Sequence, residues 1–168
     1  MKQVFYLFGQ LDDRDVDWFA QTGQTKSIPP NTTVIQEGTD VNSVLIILQG
    51  ELSVNTASKG LINTLGWGEI AGEMSFVDKA PAAATLVTTQ QTNVLQIPHG
   101  RLAERIMSDA QFAARFYRAT TLALTDRLRE QISGENTDNA DSLSPELLDT
   151  VHSAGARFDR LLRQLGAN

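Results

Sequence analysis

The chain has 168 residues, 41 % of them hydrophobic and 20 % charged, which is enough for one domain with a real core. Its net charge of -6 argues against a whole-surface electrostatic hold on nucleic acid or anionic membrane, so neither is expected as a partner. With no cysteine, disulfides, thiolate metal sites and a cysteine nucleophile are excluded.

The opening apolar run, Val4 to Phe8, is too brief for a signal-peptide core, and acidic residues follow from Asp12. No window approaches the length of a membrane span, so a cytoplasmic protein, bacterial in character, is expected. Asp12-Asp13-Arg14-Asp15 followed by Val16, Trp18 and Phe19 predicts a short helix with acidic residues in its first turn, ended by Gly23. From Gln24 to Pro98 the texture changes. Short runs rich in Val, Ile, Leu and Thr (33–36, 43–48, 51–55, 61–65, 83–88 and 93–97) alternate with Gly, Pro and Asn turn signals. This predicts a compact antiparallel barrel or sandwich.

After Pro98 the pattern becomes helical. Residues 99–107 predict one helix and 109–132 a longer one, with Phe112, Phe116, Leu124, Leu128 and Ile132 four or eight apart. Gly134 is expected to stop it, and 134–143 read as a polar linker. Ser144-Pro145 then suits a helix start, with Leu147, Leu148, Val151, Phe158, Leu161, Leu162 and Leu165 as its apolar stripe. The expected fold is α+β: a small antiparallel β barrel of jelly-roll type, flanked by an N-terminal helix and C-terminal helices. The organisation is 1–133 as the main domain, a linker at 134–143 and a C-terminal helix at 144–168.

The informative segment is Gly68-Glu69-Ile70-Ala71-Gly72-Glu73-Met74-Ser75-Phe76, leading to Ala80-Pro81-Ala82-Ala83-Ala84-Thr85. Here the chain resembles the cyclic nucleotide-binding domains found in the catabolite activator protein and protein kinase A regulatory subunits. Their phosphate cassette reads roughly Gly-Glu-hydrophobic-Ala, a turn, then Pro-Arg-Ala-Ala-Thr. The resemblance covers about residues 5 to 132. It implies a regulatory, non-enzymatic module with Gly72, Glu73, Met74, Ala82, Ala83, Ala84 and Thr85 around a cyclic nucleotide or another small anion, and no resident cofactor. Glu73 would accept from a ribose hydroxyl; the alternative is a turn residue capping a backbone N–H.

Ala82 stands where the family has arginine, and no arginine occurs between Arg14 and Arg101. Losing that charged clamp would cost about 2–5 kcal/mol, roughly thirtyfold to several thousandfold in affinity. Lys79 is a point charge and cannot reproduce the guanidinium fork. The family further implies that the long helix makes base contacts, here assigned to Thr120 and Thr121. It also implies a dimer seam, assigned to Phe112, Phe116, Ala119, Ala123 and Leu128; the alternative is that this stripe packs on its own barrel. Either a second copy or another protein is the expected partner.

Other chemistries find no support. The two histidines, His99 and His152, both lie outside the barrel, so no metal site is expected. No Ser-His-Asp set has spacing support. Glu69 and Glu73 fit a glycine-separated turn better than an acid pair. The arginines at 101, 105, 115, 118, 127 and 129, and at 157, 160 and 163, are interspersed with acids and read as solvated helix faces. The 36 residues after Ile132 are too few for a winged helix-turn-helix, so a DNA-binding output is not expected.

Overall fold

The computed structural model describes residues 3–133 and 145–166. Two helices open the chain, α1 (Gln3–Gln10) and α2 (Asp13–Thr22), followed by β1 (Gln24–Ile28), β2 (Thr33–Ile35), β3 (Ser43–Gln49), β4 (Leu52–Thr56), β5 (Gly60–Leu65) and β6 (Ile70–Ala71). A short helix, α3 (Glu73–Asp78), precedes β7 (Thr85–Thr88) and β8 (Thr92–Pro98). Then come α4 (His99–Ser108), α5 (Ala110–Ser133) and α6 (Pro145–Leu165). The strands form two antiparallel four-stranded sheets, β1-β8-β3-β6 and β2-β7-β4-β5.

The barrel and its flanking helices match the expected α+β jelly-roll arrangement. All six predicted strands are present. Four elements escaped the sequence pattern. β1 is a polar, exposed run held by its pairing with β8, and β6 is two residues long. α3 is a single short helix inside the cassette. α1 places Tyr6, Leu7 and Phe8 consecutively in the core and lies against both α5 and α6, so no polar face marks its period. The expected stop at Gly134, the linker at 134–143 and the Ser144 cap lie outside the described residues.

Strand β3 explains how the core divides. Its run Val44 to Leu48 is buried on both faces. Val44, Ile46 and Leu48 meet the helices, together with Leu95, Ile97, Phe112 and Phe116. Leu45 and Ile47 point the other way, into the barrel with Leu52, Leu65, Leu86 and Val94. Period-two side-chain alternation thus places one strand in two cores.

Helix α6 folds back onto α1 and α2. Ala154, Phe158 and Leu161 are fully buried, and Phe158 packs edge-on against Phe8 and Trp67, at ring separations of 5.0 and 4.6 Å. At the rim of this seam Arg160 forks onto Asp17 at 2.7 and 2.8 Å, holding that carboxyl below its usual range, and Arg157 reaches Asp13 and the Phe8 carbonyl. Among the described residues no helix is long and apolar enough to cross a membrane.

Asp15, fully buried, ties the N-terminal helices to α5. The Asp12 carboxylate accepts from the Asp15 N–H at 3.0 Å, and the Asp15 carboxylate accepts in return from Asp12 N–H at 2.9 Å. Asp15 also receives a two-pronged contact from Arg115, at 2.7 and 3.0 Å. Asp15→Asn should lower folding stability by about 1.5–3 kcal/mol, because it weakens charge-assisted bonds while leaving a buried amide. Urea unfolding of the two proteins checks this, and a loss below about 0.5 kcal/mol would contradict the network as described.

Candidate functional site

The cassette turn is shaped by a backbone demand at Gly72. Its φ of 80° is left-handed, and a Cβ there would sit 2.5 Å from the Ser43 carbonyl oxygen. Glycine is therefore required both for conformation and for closeness to β3. The turn launches α3, whose first residue, Glu73, carries a side chain only 3 % exposed.

Glu73 is not empty-handed. Arg127, from the C-terminal half of α5, donates through Nη1 to Glu73 Oε1 at 2.6 Å and through Nη2 to the Ile70 carbonyl at 2.8 Å. Glu69 Oε1 lies 3.9 Å from the same guanidinium, and its other oxygen accepts from Gly66 N–H at 2.6 Å, closing the 66–69 turn. A buried carboxylate needs such a partner, because an unpaired charge out of water is costly.

Beside this pair lies a cavity of about 310 Å³. Its walls are Ile35, Val41, Val54, Leu65 and Leu86 from the barrel, Met74 and Ala82 to Ala84 from the cassette, and Leu124, Arg127, Leu128 and Gln131 from α5. Size and lining fit a small-molecule site. A second, more polar cavity of about 510 Å³ lies beyond the shared residues Ile35 and Val41, against Lys26, Asp40 and Gln96. It is larger but holds no cassette residue.

The model of the cyclic nucleotide-binding domain matches residues 25–109, half of the chain, from β1 through α4. The chain belongs to the cyclic nucleotide-binding domain family. Among curated proteins it is similar to the potassium channel KAT3 of Arabidopsis thaliana, 26 % identical over 155 residues. That match covers 88 % of this chain but 23 % of the channel, so the chain spans under a quarter of that relative's length. Among solved structures, a cyclic nucleotide-binding domain from Methylobacillus flagellatus superposes with a TM-score of 0.67 at 23 % identity, over 80 % of this chain and 76 % of that one. The catabolite activator protein of Thermus thermophilus gives 0.62 at 21 % identity, over 96 % and 86 %. At these identities the structural likeness speaks for the fold.

In this cyclic nucleotide-binding domain six of the seven expected cassette residues line the cavity: Gly72, Glu73, Met74, Ala82, Ala83 and Ala84. Thr85 does not. Its hydroxyl accepts from Glu37 N–H at 3.0 Å and from Gln36 Nε2 at 3.2 Å, pinning the end of β2. The Ala82 backbone is also committed, its N–H to Thr39 and its carbonyl to Gly38. Lys79 stands at the C-terminus of α3, donating to the Phe76 carbonyl at 2.7 Å with its ammonium 4.5 Å from the Phe76 ring centre, and it does not line the cavity.

The long helix differs from expectation in detail. Thr120 and Thr121 do not line the cavity; their hydroxyls donate back to the carbonyls of Phe116 and Tyr117. The residues that reach it lie later on α5, from Leu124 onward. Of the five seam residues, Phe112, Phe116, Ala119 and Ala123 are buried in this chain's own core, while Leu128 is 56 % exposed. Phe112, Phe116 and Ala119 pack into the cluster that β3 and β8 share with the helices. The reading of the arginines as solvated faces needs correction. Arg101 fits it, but Arg105, Arg115 and Arg127 are partly buried in ion pairs. Asp15 and Glu73 lie far away in sequence from the arginines they bind, so no helical spacing announces those pairs.

His99, at the start of α4, lies beneath the cassette, its ring 5.2 Å from that of Phe76. Burial pushes its pKa below the ordinary 6.5, and the Lys79 charge acts the same way, against hydrogen bonds with the Gly72 and Ser43 backbones. A folded-state pKa lower than the unfolded one gives stability that is present above about pH 6.5 and is lost as the pH falls through the folded value. The urea midpoint should therefore drop between pH 7 and pH 5, and His99→Asn should flatten that slope. An equal slope in both proteins would remove His99 from the account.

Proposed function

We propose that this chain is a non-enzymatic sensor module of the cytoplasm. A small molecule enters the cavity between the cassette and α5 and is reported by a shift of α5. The observation that carries this reading is the bridge itself. Glu73, on the cassette, and Arg127, on the reporting helix, meet at 2.6 Å on the cavity wall. A ligand that changes this bond binds the two positions of α5 with different affinity, which is what coupling requires.

Cyclic nucleotides themselves should bind weakly. The cassette arginine is Ala82, and among the described residues the one guanidinium lining the cavity already serves Glu73. Calorimetric titration with cAMP and cGMP should show no saturation in the micromolar range. Ala82→Arg should tighten binding by about thirtyfold or more. In parallel, native mass spectrometry should find a co-purified small molecule. Micromolar binding by the natural protein would overturn the weak-nucleotide part of this reading. No bound mass, and no binding by Ala82→Arg, would overturn the sensor itself.

A second reading is favoured by the exposed Leu128 and Ile132 on α5, 56 and 77 % accessible. In it the barrel is a scaffold, and this end of α5 meets another protein or a second copy. Light scattering across concentration tests the second copy; a strict monomer at high concentration excludes it.

A further inference from the structure

We infer that the cavity selects an uncharged, mainly apolar molecule, not an anion. This rests on the sensor reading above and names the ligand class for the same site. Three observations carry it. First, the walls are aliphatic from barrel, cassette and helix alike, so most of a bound molecule's surface would meet carbon. Second, among the described residues Glu73 and Arg127 are the ionisable side chains that line the cavity, and they pair with one another at 2.6 Å. An anion could gain Arg127 only by stripping Glu73, whose side chain is 3 % exposed, of its partner and then lying beside that carboxylate. Third, three donors at the cassette are already used: the Ala82 N–H by Thr39, the Phe76 N–H by Gly72 and the Lys79 ammonium by Phe76.

The remaining guanidinium nitrogen, Arg127 Nε, is buried away from solvent, so it offers an anion no separate hold. A neutral molecule can thus fill the cavity with the bridge intact, whereas an anion must break it.

The test compares two dyes of similar size, the neutral Nile red and the anionic 1-anilinonaphthalene-8-sulfonate. Nile red should saturate at one molecule per chain, and about tenfold or more tighter than the sulfonate. Two cavity-filling variants, Ala84→Leu and Leu124→Trp, should each abolish Nile red fluorescence while retaining the far-ultraviolet circular dichroism of the natural protein. Using both keeps the test alive if one fails to fold. Tighter binding of the sulfonate, or displacement of Nile red by micromolar cAMP, would overturn the uncharged-ligand inference and leave the sensor reading standing. Saturation that survives both variants would place the dye elsewhere and overturn the inference. Failure of both dyes to bind would count against the cavity as a ligand site, and so against the sensor reading as well.

Discussion

Replacing Arg127 with methionine should lower folding stability by about 3–5 kcal/mol, the loss expected when one member of a buried ion pair is removed. The size follows from Glu73 and not from the arginine. Arg127 keeps some access to water, with its side chain 15 % exposed, but Glu73 at 3 % has almost none. The substitution leaves a carboxylate in an apolar wall and removes the donor that holds the Ile70 carbonyl. The double variant Arg127→Met with Glu73→Gln should recover roughly half of the loss or more, because removing both charges costs far less than stranding one. Urea denaturation of the single and double variants measures this cycle. If the two single losses simply add in the double variant, the bridge is not a coupled pair and the sensor reading loses its connection between cassette and helix. Hydrogen exchange gives a second readout. In Arg127→Met the C-terminal half of α5 should exchange faster, while α2 and its Asp15 network stay as they are.

Phe158→Ala should cost a similar 3–5 kcal/mol, the usual range for emptying a fully buried aromatic site. Phe158 lies between Phe8 of α1 and Trp67 of the β5–β6 connection, so it joins α6, the N-terminal helices and the barrel at one point. The Arg160–Asp17 and Arg157–Asp13 pairs lie at the rim with their side chains partly in water and cannot replace it. Trp67 supplies a local probe. It is 41 % exposed with Phe158 in place, and its emission should shift to the red when that ring is gone. Phe158→Leu, which keeps most of the volume, should cost about 1.5 kcal/mol or less. A loss under about 1 kcal/mol for the alanine variant, with unchanged Trp67 emission, would mean that α6 does not dock against the barrel in solution.

Both effects depend on residues whose importance the sequence concealed to different degrees. Phe158 stands in an apolar stripe with Leu161, Leu162 and Leu165, and helical periodicity marks it as buried. Periodicity does not say against what. Arg127 gives no local sign at all, standing among arginines and acids that read as a solvated surface. Its partner lies 54 positions earlier, and only the folding of α5 over the cassette brings the two together. The seam residues show the complementary case. Phe112, Phe116, Ala119 and Ala123 form an apolar face in the sequence, but such a face buries equally well against a second copy or against its own barrel.

What the sequence by itself determined is whatever local stereochemistry and short-range pattern can encode. The strands from β2 to β8 that follow Val, Ile and Thr runs belong here, as do the turns at Gly and Pro. So do the acidic first turn of α2, the family of the cassette and the absence of its arginine. These depend on a residue's own conformational preferences or on neighbours within one turn. The tertiary structure alone decided the rest. Polar β1 is a strand because β8 offers it hydrogen bonds, and α1 is a helix because α5 and α6 cover it on both sides. The cavity owes its neutral character to an arginine delivered from another element. Pairing between charges distant in the chain has no short-range signature, and so it becomes legible only when the fold sets them side by side.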